Sequence, residues 1–117
     1  MPPTSPDEVE NVVVICTDQQ RVDSLGCYGN DTVRTPNVDG IAERGARFDR
    51  AYTPAAICGP ARAAMVSGVR PHRTGVLRNV EESEGAPLSD RFPCYPQMLR
   101  EAGYNAGLAG KWHVGEH

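Results

Sequence analysis

From Asn11 to Thr17 the chain reads Asn-Val-Val-Val-Ile-Cys-Thr, an apolar, β-branched run without polar alternation. A strand with one wet face would alternate, so this run calls for cover on both faces, as in a parallel α/β sheet. It ends in Asp18-Gln19-Gln20-Arg21, polar residues at the carboxyl edge where open α/β sheets take ligands. Thr35-Pro36-Asn37 opens a helix, with Thr35 as N-cap and Pro36 at the first helical position. Val38, Ile41 and Ala42 form its apolar face and Gly45 stops it. Residues 46–52 read as a short strand, and Pro60 to Ser67 as a helix closed by Gly68. Residues 69–92 lack periodicity, and Pro71, Gly75, Gly85, Pro87 and Pro93 mark a long loop region. Tyr95 to Ala102 is amphipathic, with Met98, Leu99 and Ala102 inward and Gly103 as cap. Residues 104–109 form a last buried strand that runs into Gly110-Lys111-Trp112-His113. Strands alternating with helices predict an α/β fold, and no internal repeat interrupts the pattern.

At 117 residues the chain has the length of about one small domain. A formal net charge of −3 argues against nucleic acid or an anionic membrane as partner, since both select a basic face. The acidic, proline-rich residues 1–10 read as a disordered lead-in without the features of a signal peptide, so a cytoplasmic location is expected. Four cysteines, at 16, 27, 58 and 94, show no Cys-x-x-Cys spacing and predict neither a disulfide framework nor a zinc site. The sequence stops directly after an apparent strand and reads as the front portion of a longer protein.

Chemistry concentrates at Cys58-Gly59-Pro60-Ala61-Arg62. Cys58 precedes a predicted helix, where free N–H groups and the helix dipole favour negative charge. Arg62 follows one helical turn later, and Pro60 holds Gly59 extended. Lys111 and His113, one residue apart in extended chain, project to the same side, a cation and a proton donor for an anionic substrate. Asp18, after its strand, is suited to a hard cation, although a lone aspartate there also serves as a turn or helix cap. A phosphate-loop reading of Gly110-Lys111 fails, because Asn105 stands where a glycine is needed and Trp112 where Ser or Thr is needed. His72 and His117 are weaker candidates.

The Cys-x-Pro-x-Arg string resembles the signature of type I sulfatases, in which the cysteine is oxidised to Cα-formylglycine. Thr-Asp-Gln-Gln-Arg (17–21), Leu-Gly-Cys-Tyr-Gly-Asn (25–30), Arg-Thr-Pro-Asn-Val-Asp (34–39), Pro-His-Arg-Thr-Gly-Val (71–76) and Gly-Lys-Trp-His (110–113) add to it. Residues 11–115 thus resemble the N-terminal portion of a sulfatase of the alkaline-phosphatase superfamily. The resemblance implies a mostly parallel sheet flanked by helices, and sulfate monoester hydrolysis through a formylglycine hydrate made from Cys58. It implies Asp18 as ligand of a calcium or magnesium ion, which Cys58 also meets, and Arg62 as support for the hydrate. Lys111 and His113 would contact the sulfate and its bridging oxygen. Asn79 matches a substrate-contacting asparagine of choline-sulfatase-like and phosphonate-monoester-hydrolase-like members. Gln19 departs from the pattern: many sulfatases have a second aspartate there, and an amide brings no charge. The remaining ligands, an Asp with an Asn or His, are expected in a later segment. Implied partners are a small-molecule or saccharide sulfate ester and a formylglycine-generating maturation enzyme. Two alternatives stay open: a phosphonate or phosphodiester hydrolase of the same superfamily, and a non-catalytic fragment or pseudoenzyme.

Overall fold

A computed structural model describes residues 10–115. The lead-in expected over 1–10 lies, apart from Glu10, outside the described residues, as does His117. The chain divides into two compact units, one ending at Asp49 and the other beginning at Arg50.

The first unit carries two short 3-10 turns, Val22–Ser24 and Gly26–Tyr28, and helix α1, Pro36–Arg44. Pro36 occupies the first turn of α1 as expected, but Thr35 makes no side-chain cap bond. Its hydroxyl instead accepts the Gly26 N–H at 2.8 Å and donates to Asp39 Oδ1 at 3.0 Å. The same Asp39 oxygen accepts the Cys27 N–H at 2.7 Å. A Cβ at Gly26 would stand 2.5 Å from Asp39 Oδ2, so only glycine permits this approach. The Leu-Gly-Cys-Tyr-Gly and Arg-Thr-Pro-Asn-Val-Asp motifs are therefore the two halves of one polar clasp. Val38 and Ile41, expected to be the covered face of α1, are exposed.

The second unit holds α2 (Cys58–Ser67), α3 (Pro71–Thr74) and α4 (Tyr95–Glu101). Gly68 ends α2 in the left-handed region at φ 69°, its N–H on the Ala64 carbonyl at 2.9 Å, as the sequence predicts. The helix begins two residues before the predicted start, at Cys58 itself. Part of the expected loop is helical: Pro71 starts α3, and Gly75, at φ 82°, closes it. Gly75 then turns the chain so that Val76 is fully buried. Ala63 of α2, Val76 and Val114 form the core, with Leu88 and Trp112 packed against it. Each buried valine contributes about 1.5–3 kcal/mol, and the Leu88 N–H to Val114 carbonyl bond of 2.8 Å fixes the last segment to this core. In α4, Gln97 Oε1 accepts the Cys94 N–H at 2.9 Å, closing its first turn. Met98, expected inward, is exposed.

None of the three predicted strands, 11–17, 46–52 and 104–109, is paired among the described residues. Val13 and Ile15 are 80% and 79% exposed. A strand is not a property of its own sequence, because its N–H and C=O rows need neighbours on at least one side. The apolar pattern specifies what could be covered, and nothing described covers it. No helix among the described residues is long and apolar enough to cross a membrane.

Candidate functional site

Five of the seven residues singled out from sequence belong to the unit beginning at Arg50, and they converge on α2. Cys58 is the first residue of the helix and is half-buried, with Gly59 and Pro60 buried behind it. The Gly59 N–H, one of the donors that a helix start leaves without an intrahelical acceptor, is taken by Asn79 Oδ1 at 2.8 Å. A Cβ on Gly59 would come within 3.2–3.3 Å of Asn79 and the Arg78 carbonyl, so glycine also allows this contact. Asn79 is therefore held by its carbonyl end, and its NH2 group is what it can offer a ligand. Its own N–H points to Glu82 Oε1 at 3.3 Å, and its carbonyl accepts the Glu82 N–H at 3.0 Å.

Arg62, one turn beyond Cys58, donates from a terminal guanidinium nitrogen to the Lys111 carbonyl at 2.7 Å. This bond ties the Gly-Lys-Trp-His segment to the signature helix. Trp112 lies on the core, and Val114, after the motif, is inside it. His113 has φ 62°, so the chain through 111–113 is not uniformly extended, and the same-side expectation for Lys111 and His113 does not carry over. Glu81, which the sequence did not single out, meets this histidine: Nε2 lies 2.7 and 2.8 Å from its two carboxylate oxygens. Hydrogen bonds from its own backbone and then from His113 hold the Glu81 carboxyl below its usual range, with the Lys111 charge a smaller contribution. The only sequence signal was an acidic residue two places after an already suspected Asn79.

Asp18 and Gln19 lie in the unit ending at Asp49 and are both exposed. Gln19 has φ 56°. Among the described residues three non-glycines take positive φ, Gln19, Glu84 and His113, and two of them had been singled out for chemistry. Such backbone persists where surroundings impose it, commonly at functional positions. A carboxylate and an amide carbonyl are hard oxygen donors of the kind calcium and magnesium select. Two such donors fall short of the six or so oxygens these ions take, and among the described residues no group of three or more His, Cys, Asp or Glu gathers to hold a metal. The donor chemistry fits and the donor number does not, so no catalytic step is derived through a metal here.

A cysteine opening a helix, an arginine one turn on, and a lysine–histidine segment tied to that arginine make a site suited to an anion beside a nucleophile. The sulfatase family profile matches residues 10–117, and the chain belongs to the sulfatase family. It is 35% identical over 104 residues to an N-acetylglucosamine-6-O-sulfatase of Bacteroides thetaiotaomicron, covering 89% of this chain and 18% of that protein. It is 39% identical over 108 residues to human arylsulfatase A, covering 90% and 21%. A solved 2-O GAG sulfatase superposes with a TM-score of 0.71 at 35% identity, over 78% of this chain and 20% of that one. The chain thus spans about a fifth of the length of the relatives it matches.

Proposed function

We propose that this chain carries the nucleophile-bearing part of a sulfuric ester hydrolase that cleaves a sulfate monoester, on a small molecule or a saccharide. The observation that carries the reading is the convergence on the first turns of α2: Asn79 on the Gly59 N–H, and Arg62 on the Lys111 carbonyl. Family membership supports it, and the relatives named for a sulfated glucosamine and for a 2-O GAG support a saccharide substrate.

Oxidised to Cα-formylglycine and hydrated, Cys58 would supply an oxygen nucleophile and a second hydroxyl for release of sulfate. The chain's own residues then do the rest. Asn79 holds the helix start at Gly59, fixing the position of residue 58. Arg62 places a fixed positive charge one turn from it, while its bond to Lys111 anchors the 110–113 segment. Lys111 offsets sulfate charge, and His113 offers a hydrogen bond from Nε2 to the ester oxygen. Asp18, with Gln19 as a weaker donor, would supply two of the several oxygen ligands that a calcium or magnesium ion takes.

In the folded chain Gly59 and Pro60 are buried. A maturation enzyme would therefore meet the Cys-x-Pro-x-Arg string before α2 forms, when Pro60 keeps it extended. The unpaired runs 11–17, 46–52 and 104–109 would take places in the parallel sheet of the complete protein. The apolar run at 11–17 and the likeness to a solved sulfatase support this.

The test is the complete enzyme expressed beside a maturation enzyme. Mass spectrometry of the Cys58 peptide is expected to show aldehyde in place of thiol, together with turnover of an aryl sulfate above that of an aryl phosphonate ester. Unmodified Cys58 in such cells overturns the reading, and preference for the phosphonate ester replaces it with the phosphonate hydrolase.

A further inference from the structure

His113 meets Glu81 in a geometry that leaves little freedom for its proton. Nε2 lies within hydrogen-bond distance of both Glu81 oxygens, at 2.7 and 2.8 Å. An ionised carboxylate only accepts, so Nε2 must donate; a bare Nε2 there would set lone pair against lone pair. Nδ1, at the other side of the ring, is buried and has no hydrogen-bond partner among the described residues. An orphaned buried N–H is rarer than an under-used acceptor, so this side favours a bare nitrogen. Both edges of the ring select the same tautomer. The backbone adds a constraint, since His113 sits at φ 62°, which its surroundings must impose. The ring is one-fifth exposed and Glu81 about three-fifths, so the carboxylate side of the pair opens to solvent.

We propose that Glu81 is a positioning residue for the sulfatase reaction: its carboxylate orients the His113 ring and keeps the ring proton on Nε2, the atom that faces outward. The charged groups linked to this pair are Glu81 itself, Lys111, two residues earlier and acting on the Glu81 carboxyl, and Arg62, whose guanidinium lies on the Lys111 carbonyl. Lys111 and Arg62 are cations and cannot accept from Nε2, so among these three only Glu81 can hold its proton. A sulfate ester entering the site would compete for this donor, exchanging one anionic acceptor for another. The inference rests on the reading of His113 as a residue that meets the ester, but the tautomer itself does not.

The experiment uses the complete enzyme with 15N-labelled histidine, examined at about pH 8, above the ordinary histidine range. In the wild type a long-range 1H–15N spectrum is expected to show His113 with Nε2 protonated, Nδ1 bare, and a ring N–H protected from solvent exchange. Glu81→Ala should lose that protection and reduce kcat about tenfold with little change in KM, the size expected for a misplaced donor. Glu81→Gln keeps a carbonyl acceptor in place, so it should retain the protected N–H and recover most of the turnover. Glu84→Gln, which removes a nearby loop charge, should change neither. A proton found on Nδ1, protection undiminished in Glu81→Ala, or Glu81→Gln as impaired as Glu81→Ala would each overturn the proposal. If the wild type cleaves no sulfate ester, the proposed function fails, while the spectra still decide the role of Glu81.

Discussion

Arg62 and Lys111 are joined across 49 residues of sequence by a bond of 2.7 Å from guanidinium to backbone carbonyl. The bond couples the signature helix to the segment carrying both candidate sulfate contacts. Removing the guanidinium frees the 110–113 segment and exposes a carbonyl that water can reach. Arg62→Ala is expected to cost about 1 kcal/mol, the net worth of one such bond in a partly exposed setting. Turnover should fall further than this, because the positive charge beside residue 58 is lost as well. Arg62→Lys should restore charge without the planar fork, so recovery should be partial. Thermal melts and steady-state rates of the complete enzyme read both; a silent Arg62→Ala would mean that the bond organises nothing.

Asn79 separates a structural role from a substrate role in one pair of variants. Asn79→Ala leaves the Gly59 N–H buried without its acceptor, at a cost of about 1–3 kcal/mol. Faster hydrogen exchange at the Gly59 amide should accompany the loss. Asn79→Asp keeps an acceptor, and its charge is favourable at a helix N-terminus, so stability should return. Turnover should not return if the side chain also meets the sulfate, because the new carboxylate repels it. Full activity in Asn79→Asp would confine Asn79 to supporting the helix.

How much of this was legible follows from the range of the forces involved. The Gly68 end of α2, the Pro36 start of α1 and the Gly103 turn obey local backbone rules, which sequence carries directly. Cys58 and Arg62 were visible because they stand in one contiguous string, Cys-x-Pro-x-Arg, that resembles the type I sulfatase signature. Glu81 was not, because its partner lies 32 residues away and no local pattern links an acidic loop residue to a distant imidazole. The runs 11–17, 46–52 and 104–109 show the opposite difficulty. The first was read from its apolar, β-branched run and the others as a short strand and a last buried strand, but pairing depends on neighbours that composition does not supply. The motif 25–30, noticed only as a point of resemblance, and 34–39, read also as a helix start, acquired a shared physical reason once Thr35 and Asp39 were seen to hold Gly26 and Cys27.

Cys94 gives a prediction in pH. Burial pushes its thiol up, so the folded state favours the protonated form. While the pH is below the unfolded thiol's value, both states keep the proton and the full stability is present. As pH rises beyond it the unfolded chain ionises first, and stability declines until the folded thiol also ionises. As pH rises past the ordinary thiol value of about 8.5, the melting temperature should therefore fall more steeply in the wild type than in Cys94→Ala. Iodoacetamide should label Cys94 only as the fold opens. Parallel pH profiles for the two proteins would exclude the thiol as the source.

Lys111 and His113 should be distinguishable by leaving group. Sulfate charge is common to every substrate, so Lys111→Ala should slow aryl and alkyl sulfates alike, by about 10²–10³ if it is a preorganised contact to the developing charge. The ester oxygen differs between substrates. A nitrophenolate leaves without help, whereas an alkoxide needs a proton or a strong hydrogen bond as the S–O bond breaks. His113→Ala should therefore slow alkyl sulfates well beyond its effect on nitrophenyl sulfate. Glu81→Ala should show the same leaving-group bias in weaker form, because it misplaces the Nε2 donor without removing it. Rates for one aryl and one alkyl sulfate across the three variants test the whole arrangement. Equal losses on both substrates in His113→Ala would remove the hydrogen bond to the leaving oxygen and leave that ring as a contact to the sulfate alone.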